Sequence, residues 1–457
     1  MKADLVIKNG RVVTPEETFE GGVAIEGGKF VVIGTDDVLP EGKQEIDAKG
    51  KHILPGLIDG HVHFREPGLT HKEDFTTGST AAVCGGITTV MDMPNVIPPT
   101  ADAATVRQKV ELALGKFLTD FGFFGVVVQT NLNDILPMAE AGVLGYKIFF
   151  GETIGNLPCP DDGACLEAFR LIAESRLPLG IHAENRQIVS SCTYKLKSEG
   201  KNDPVYWEQS RPSIAEGESV AHALYFAETF GTKLHIYHMS SKEAAFIVKD
   251  AKARGLPVTA ETGPHYLLRE DKDMAAVGSL LKMNPPVRNK AHSDVLWDGL
   301  LNGYVDMLAT DHSPHTLDEK GTDLSGKMTK AAIWDCISGF CGVETGVPLM
   351  LTEVNKGRLT LNQYVKLASE NPARVWQVYP QKGAIRLGSD GDVTIVDMDK
   401  EGTIDANNLH SKSKPTPWNG WRIKGLPIYT IVRGHIQMRD SEPVGKPVGR
   451  FIRPQPC

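Results

Sequence analysis

Residues 54–68 read Leu54-Pro55-Gly56-Leu57-Ile58-Asp59-Gly60-His61-Val62-His63-Phe64-Arg65-Glu66-Pro67-Gly68. The apolar pair Leu57-Ile58 leads into two histidines and Pro67-Gly68 ends the run, which predicts a buried strand that meets a turn. Residues two apart on a strand point to the same face, so His61 and His63 would present both imidazoles in one direction. Such a pair suits a zinc-type metal, although many His-x-His pairs are only core histidines. The rest of the chain decides between these interpretations.

The composition is that of an ordinary globular protein, with 457 residues, 41% hydrophobic and 23% charged. The net charge of −8, without any basic run, argues against a nucleic-acid partner. No apolar run approaches the ~18 residues of a membrane helix, and no apolar signal region follows the first residue, so we expect no membrane partner. Seven scattered cysteines without a Cys-x-x-Cys motif indicate reduced thiols and a cytoplasmic protein.

The two ends of the chain have the same kind of sequence, short β-strand-like runs. Short β runs separated by Asn-Gly and Gly-Gly pairs fill the chain from Leu5 to about Leu54, which predicts a small antiparallel unit built from hairpins. Similar sequence returns at residues 392–397 and 428–434. Because chain termini commonly lie near each other, we predict one composite β-sandwich domain formed by residues 1–54 and 380–457, with residues 55–379 as a second domain.

The middle of the chain alternates short apolar runs with helix-like stretches. Eight strand-like runs lie at residues 53–63, 87–94, 121–128, 144–150, 179–184, 234–240, 258–263 and 304–311. Eight β/α repeats predict an α/β fold, a (β/α)8 TIM barrel with insertions. An open doubly wound sheet is the alternative, but its nucleotide-binding members carry a glycine-rich fingerprint that the first strand lacks here.

Reactive side chains fall at the C-terminal ends of these runs, where TIM barrels carry their active sites. They are His61 and His63 on the first run, Lys147 on the fourth, His182 on the fifth, His238 on the sixth and Asp311 on the eighth. A core strand has no structural reason to end in an ionisable group, so we predict a shared pocket. His235 lies on the opposite strand face from His238 and is expected to be structural. His265 and His312 are expected to support the pocket from behind.

Four histidines and one aspartate are too many ligands for one tetrahedral zinc ion and nearly enough for two. A two-metal site also needs a bridging anion, and Lys147, with apolar residues on both sides, is the candidate. Two nearby cations would drive its ammonium towards the neutral amine, which adds CO₂ to give a carbamate. We therefore predict two Zn²⁺ per chain bridged by carboxylated Lys147. A lysine that reaches the surface is the alternative.

Five ordered segments resemble the cyclic amidohydrolases, and within that group the dihydroorotases. They are His-Val-His-Phe-Arg-Glu-Pro-Gly at 61–68, Met-Pro-Asn at 93–95, His-Ala-Glu at 182–184, Lys-Met-Asn-Pro-Pro-Val-Arg at 282–288 and Asp-His-Ser-Pro-His at 311–315. The resemblance implies that Asp311 joins His61 and His63 on one metal, that His182 and His238 bind the other, and that Lys147 bridges them. It also implies that Asp311 is the catalytic residue, which takes a proton from the bridging water and passes it to the leaving nitrogen.

The resemblance implies a substrate as well. Dihydroorotases hold an exocyclic carboxylate with Arg, Asn and His, and Arg65, Asn95 and His315 occupy those motif positions, while Asn284 would hydrogen-bond the ring. This implies reversible, zinc-dependent hydrolysis of the cyclic amide of dihydroorotate to N-carbamoyl-aspartate in pyrimidine biosynthesis. Structural alternatives are that Arg65 pairs with a surface glutamate and that Asn95 caps a turn.

Two other functions stay open. Ser313 within Asp-His-Ser-Pro-His is familiar from allantoinases, and a lysine at the position of Lys147 is shared with allantoinases and hydantoinases. An allantoinase or a hydantoinase (dihydropyrimidinase) acting on a related cyclic ureide is therefore the first alternative. A non-catalytic relative kept as a scaffold is the second. The expected partners are a small cyclic amide and further copies of the chain, in a dimer or tetramer.

Overall fold

The computed structural model describes residues 2–151, 153 and 157–455. Within these residues, seventeen strands form two sheets. The strands are β1 (Ala3–Val13), β2 (Thr18–Glu26), β3 (Lys29–Gly34), β4 (Gly42–Asp47), β5 (His52–Pro55), β6 (Leu57–Val62), β7 (Ile87–Asp92), β8 (Asp120–Val126), β9 (Gly145–Phe149), β10 (Leu179–His182), β11 (Leu234–Ile236), β12 (Val258–Thr262), β13 (Met307–Leu308), β14 (Val393–Thr403), β15 (Arg422–Val432), β16 (His435–Arg439) and β17 (Glu442–Pro443).

Fifteen α-helices lie between these strands in the same described ranges. They are α1 (Phe75–Cys84), α2 (Ala103–Ala113), α3 (Ile135–Ala141), α4 (Asp162–Ser175), α5 (Arg186–Ser198), α6 (Trp207–Ser210), α7 (Ser213–Phe230), α8 (Lys242–Ala253), α9 (Pro264–Leu268), α10 (Met274–Val277), α11 (Lys290–Asn302), α12 (Leu317–Lys320), α13 (Gly346–Asn355), α14 (Leu361–Val365) and α15 (Asn371–Val375). Side-chain caps set several of their starts. Asp74, Asp102 and Ser241 each accept a backbone N–H from the first turn, of α1, α2 and α8 respectively.

One sheet of nine strands unites the two ends of the chain. Its order is β17-β16-β15-β14-β5-β1-β2-β3, with β4 paired to β1. The two ends meet where β14 runs antiparallel to β5, with Ile395 opposite Ile53. Apolar side chains from both ends, among them Ile7, Val23 and Ile431, share one buried core. The composite β domain is therefore confirmed, while its exact bounds stay a prediction.

The other sheet consists of eight parallel strands in chain order, from β6 to β13. The His63 N–H donates to the His312 carbonyl over 2.8 Å, which places the segment after β13 beside β6 and closes the ring of strands. Strands β6 to β9 are buried along their whole length, as is typical of parallel strands covered by helices. The predicted TIM barrel is confirmed.

The prediction that residues 53–63 form a single strand is wrong. This run is split between β5 in the composite sheet and β6 in the barrel. At the division, the Gly56 N–H donates to the Asp392 carbonyl over 2.9 Å. A Cβ on Gly56 would lie 2.4 Å from Asp392 Cβ and 2.4 Å from Thr88 Oγ1, so only glycine lets the chain pass here. The apolar run hides the change of sheet because both strands are buried.

A buried ion network joins the barrel to the composite domain. Lys382 Nζ contacts the carboxylate of Asp120 at the start of β8, and lies 3.0 Å from Asp390 and 2.7 Å from Asp392. Arg433 also contacts Asp120. Burial would lower the pKa of Lys382, but the three carboxylates outweigh burial and raise it. The carboxylates are close enough to group around a metal ion, yet Lys382 already supplies their counter-charge.

Two further findings concern the described part of the chain. None of its helices is both long enough and apolar enough to cross a bilayer. Its six cysteines are free thiols, and Cys457 lies outside the described residues.

Candidate metal centre and active-site cavity

A cavity of about 240 Å³ lies at the C-terminal ends of the barrel strands. Its lining includes every predicted site residue except His315: His61, His63, Arg65, Asn95, Lys147, His182, His238, Asn284 and Asp311. Apolar wall residues include Phe149, Met283 and Ile337. Side chains that are far apart in the sequence therefore share one chamber, as the polar ends of the strands predict.

His61 and His63, at the end of β6, both turn towards Asp311. Their Nε2 atoms lie 3.3 and 3.2 Å from Asp311 Oδ1. The Nδ1 atom of His61 donates to Glu261 Oε1 over 2.5 Å. The Nδ1 atom of His63 donates to Asn95 Oδ1 over 2.8 Å. With the protons on Nδ1, both Nε2 lone pairs face the cavity.

His182 and His238 form a second pair, with His182 Nδ1 3.0 Å from His238 Nε2. His182 Nε2 donates to Glu184 Oε2 over 2.9 Å, and Arg211 Nη2 donates to the same oxygen over 2.7 Å. Burial would raise the pKa of Glu184, but Arg211 and His182 outweigh burial and hold that pKa at about 2. A carboxylate that stays ionised therefore keeps the His182 proton on Nε2 and turns its Nδ1 lone pair towards His238.

Lys147 Nζ is buried and has no hydrogen-bond partner among the described residues. It lies 3.5 Å from the centre of the Tyr237 ring. Burial lowers the pKa of Lys147 to about 7, although the carboxylates of Glu261 and Asp311 act in the opposite direction. A substantial fraction of such an amine is neutral near pH 7, and the neutral amine is the form that reacts with CO₂.

Three cavity residues have left-handed backbone conformations, which are costly for residues other than glycine. The φ angles are 63° at Arg65, 37° at His238 and 48° at Asp311, and each such residue costs about 1–3 kcal/mol. Asp59 helps to hold Asp311 in place, because it accepts hydrogen bonds from the N–H (3.1 Å) and the hydroxyl (2.5 Å) of Thr310. Three of the converging residues therefore carry backbone strain.

This set of donors fits a divalent metal. Ligand atoms of His61, His238 and Asp311 lie within 4.8 Å of one another. Burial lowers the pKa of all four cavity histidines below the ordinary value, so they are neutral and able to bind a metal at neutral pH. The lone pairs of His182 and His238, 3.0 Å apart, repel each other unless a cation or proton lies between them. Imidazole and carboxylate are ligands of zinc-type metals.

Arg65 is fully buried, so the alternative of a surface ion pair is wrong. Its Nη2 donates to Ser313 Oγ and His315 Nε2, both over 3.1 Å, and its Nε donates to the Pro314 carbonyl over 3.3 Å. Its Nη1 is buried without a hydrogen-bond partner in the described ranges. The loop after β13 therefore fixes the guanidinium and leaves one of its nitrogens without a partner among the described residues.

The other predicted substrate residues lie in different settings. His315 lies behind Arg65 and outside the cavity lining. Asn95 lines the cavity, but its Oδ1 accepts from His63, and its Nδ2 donates to Thr153 Oγ1 over 3.2 Å. Asn284 lines the cavity and its Oδ1 accepts from Ser338 Oγ over 3.0 Å. Asn95 thus holds a candidate metal ligand, a role that the sequence analysis missed.

Glu261 on β12 and Arg211 were also missed, and Glu184 was quoted in the His-Ala-Glu segment without a role. A charged residue within the apolar run at 258–263 was the one signal that pointed to Glu261. His235 lies outside the cavity lining and contacts Glu261 and Thr259, which agrees with its expected structural role. These residues act through partners that only the folded barrel brings near.

Comparison with known proteins agrees with this architecture. The Amidohydrolase family matches residues 52–436, most of the chain. Three similar proteins are an L-hydantoinase of Paenarthrobacter aurescens (33% identical, covering 98% of each chain), an allantoinase of Desulfitobacterium hafniense (35%, 99% of each) and a dihydroorotase of Geobacter sp. strain M21 (36%, 95% of this chain and 99% of the relative). The chain belongs to the Amidohydrolase family.

A solved structure gives the same result for the fold. The L-hydantoinase (dihydropyrimidinase) of Arthrobacter aurescens is 32% identical and superimposes with a TM-score of 0.95 over 99% of this chain and 100% of that one. The relatives share one reaction class, hydrolysis of a cyclic amide. The protein is a cyclic amidohydrolase that acts on a small cyclic amide.

Proposed function

We propose that the protein is a dihydroorotase, which interconverts dihydroorotate and N-carbamoyl-aspartate in pyrimidine biosynthesis. The observation that carries the proposal is that Arg65 lines the cavity and that its buried Nη1 has no hydrogen-bond partner among the described residues. A guanidinium binds a carboxylate through charge-assisted hydrogen bonds. Dihydroorotate carries an exocyclic carboxylate, whereas the rings of allantoin and hydantoin carry none there.

We also propose two Zn²⁺ per chain. His61, His63 and Asp311 would hold one, His182 and His238 the other, and carboxylated Lys147 would join them. Support comes from the clustered ligand atoms and from the buried amine of Lys147, because a carbamate would replace an unpartnered cation with an anion between two metals. Bound zinc supplies Lewis acidity and lowers the pKa of water.

The side chains of the protein transfer the proton, orient the substrate and exclude water. Asp311 takes the proton of the attacking water and delivers it to the leaving ring nitrogen, since its carboxylate lies beside both His61 and His63. Arg65 orients the ring through the exocyclic carboxylate. Apolar wall residues such as Phe149 and Ile337 limit the access of bulk water.

Hydrolysis of an uncharged cyclic ureide, such as allantoin or a hydantoin, is the second candidate. It is favoured by the full-length similarity to an L-hydantoinase and to an allantoinase. Ser313, a serine at a position where allantoinases also have one, accepts a hydrogen bond from Arg65. It therefore contacts the residue on which the choice of substrate depends.

The decisive experiment compares ring opening of dihydroorotate, allantoin, hydantoin and dihydrouracil by the zinc-loaded protein. We expect dihydroorotate to be the best substrate. Arg65→Gln should raise KM for dihydroorotate about 10- to 100-fold, the range for loss of a hydrogen bond to a charged group, and leave the uncharged rings within about twofold. Arg269→Gln, at a buried arginine that packs on Trp418 and Trp421, controls for lost stability.

Other outcomes separate the alternatives. Faster turnover of allantoin or hydantoin, unaffected by Arg65→Gln, would favour the second candidate. A protein that binds no zinc when zinc is supplied, and that opens none of these rings, would be a non-catalytic scaffold.

The proposed homo-oligomer is supported by large apolar side chains exposed on the helices around the barrel. Ile214 and Tyr225 of α7 are 63% and 72% exposed, and Tyr194 of α5 is 76% exposed. Light scattering should give the mass of a dimer or a tetramer, and the mass of one chain would contradict this proposal.

A further inference from the structure

Glu261 connects three groups of the barrel interior with one buried carboxylate. Its Oε1 accepts from His61 Nδ1 over 2.5 Å and from the backbone N–H of His238 over 3.2 Å. Its Oε2 lies 3.2 Å from His235 Nε2. The side chain is 1% exposed and lies outside the cavity lining, so it acts on its neighbours and does not touch a ligand in the cavity.

His235 fixes the carboxylate from the other side. Its Nδ1 lies 2.8 Å from Thr259 Oγ1, a hydroxyl that can donate to it. His235 then carries its proton on Nε2 and donates it to Glu261. The two carboxylate oxygens therefore receive three N–H donors from three directions, which holds Glu261 in a single orientation.

The two residues that Glu261 holds belong to different halves of the candidate metal centre. His61 comes from β6 and faces Asp311, whereas His238 follows β11 and faces His182. The contact with His61 is made by its side chain, and it leaves the Nε2 lone pair for a metal. The contact with His238 is made by its backbone, at a residue with a φ angle of 37°.

We propose that Glu261 is the positioning residue of the metal centre: it fixes the tautomer of His61 and the backbone of His238 together, and so sets the separation of the two halves. This inference rests on the metal centre proposed above. Partners of this kind orient a ligand imidazole and increase its basicity, and their loss weakens metal binding about 10- to 100-fold.

Two substitutions separate the geometry of Glu261 from its charge. Glu261→Gln keeps an oxygen that accepts from His61 and loses the negative charge. Glu261→Leu removes both. Glu353→Gln is the matched control, because Glu353 is also buried at 3% exposure but pairs with Lys356 and Arg358.

The test is zinc affinity, measured on the full-length protein after metal removal by competition with a chromophoric chelator. We expect zinc to bind about tenfold more weakly to Glu261→Gln and about 100-fold more weakly to Glu261→Leu. Glu353→Gln should stay within about twofold of the wild type. Thermal unfolding of each metal-free variant shows whether it is folded, and if Glu261→Leu is not, Glu261→Gln alone decides.

Zinc affinity within twofold of the wild type in the Glu261 variants would overturn the inference and leave the metal centre intact. A wild-type protein that binds no zinc would overturn the proposed metal centre and this inference together. The two failures are therefore distinguishable.

Discussion

Lys147 Nζ lies 3.5 Å from the centre of the Tyr237 ring, and Lys147 lines the cavity. Gly180, which lies opposite Lys147 in the neighbouring strand, makes room for this ring, since a Cβ there would lie 1.9 Å from Tyr237 Cε2. A cation gains some energy over an aromatic face, but burial outweighs that gain and lowers the pKa of Lys147 to about 7. The protein thus retains a destabilising amine where a reactive one is useful.

Replacement of this amine should stabilise the metal-free protein. The pKa of Lys147 is 10.5 in the unfolded chain and about 7 in the folded one. Between these values the unfolded state binds more protons, so stability rises with pH, and below pH 7 the full penalty applies. Lys147→Met should therefore add about 2–4 kcal/mol to the free energy of unfolding at pH 6, and less as the pH approaches 10.

Urea unfolding of the metal-free wild type and Lys147→Met in CO₂-free buffer, at pH 6, 8 and 10, measures this difference. A stabilisation that does not change with pH would show that Lys147 is not the buried titrating group. If Lys147→Met were less stable than the wild type, the buried amine of Lys147 would have to make a stabilising contact in the folded protein.

Asn95→Ala should weaken zinc binding about 10-fold or more, because Asn95 orients His63 through its Nδ1 proton. The value of kcat should fall along with metal affinity. Chelator competition and steady-state kinetics at saturating zinc measure the two effects. An increase in KM alone, with zinc affinity unchanged, would instead support the direct substrate contact that the sequence predicts for Asn95.

Lys382→Met should lower the free energy of unfolding by about 3–5 kcal/mol, because it leaves three buried carboxylates without their shared cation. Activity per folded molecule should not change. Lys400→Met is the matched control, because Lys400 pairs with exposed Asp440 over 3.3 Å, and its loss should cost less than about 1 kcal/mol. Equal effects of both substitutions on urea unfolding would rule out a structural role for the buried network.

His410→Gln should destabilise the protein only at low pH. His410 Nδ1 lies 2.9 Å from Glu344 Oε1, and this hydrogen bond raises the pKa of His410 above its ordinary 6.5. A raised pKa gives stability that is complete below pH 6.5 and is lost as pH rises through the folded value. We expect a loss of about 0.5–1 kcal/mol at pH 5.5 and almost none at pH 9 in urea unfolding. A larger loss of stability at pH 9 than at pH 5.5 would contradict a stabilising ion pair between His410 and Glu344.

Local spacing was enough to predict much of the candidate site. His61 and His63 are two residues apart, so any extended strand places their side chains on the same face. Lys147 is set among apolar residues, and its burial followed from that context. The repeated strand and helix runs likewise predicted the barrel, because each repeat is a local pattern.

Individual side-chain contacts between distant parts of the chain were beyond prediction. His61 and Glu261 are 200 positions apart, and only closure of the barrel brings them within 2.5 Å. Asn95 matched a substrate motif, but its contact with His63 depends on how β6 and β7 end side by side. The division at Gly56 was hidden because β5 and β6 are both apolar and buried, although they belong to different sheets.

We propose that side chains from the ends of five barrel strands converge on a pair of zinc ions bridged by carboxylated Lys147. Anomalous X-ray diffraction at the zinc edge, from crystals of protein purified with zinc and bicarbonate, tests this most directly. We expect two zinc peaks beside His61, His182 and Asp311, joined by density for a carbamate on Lys147. A single peak or none, with a free lysine amine, would contradict it.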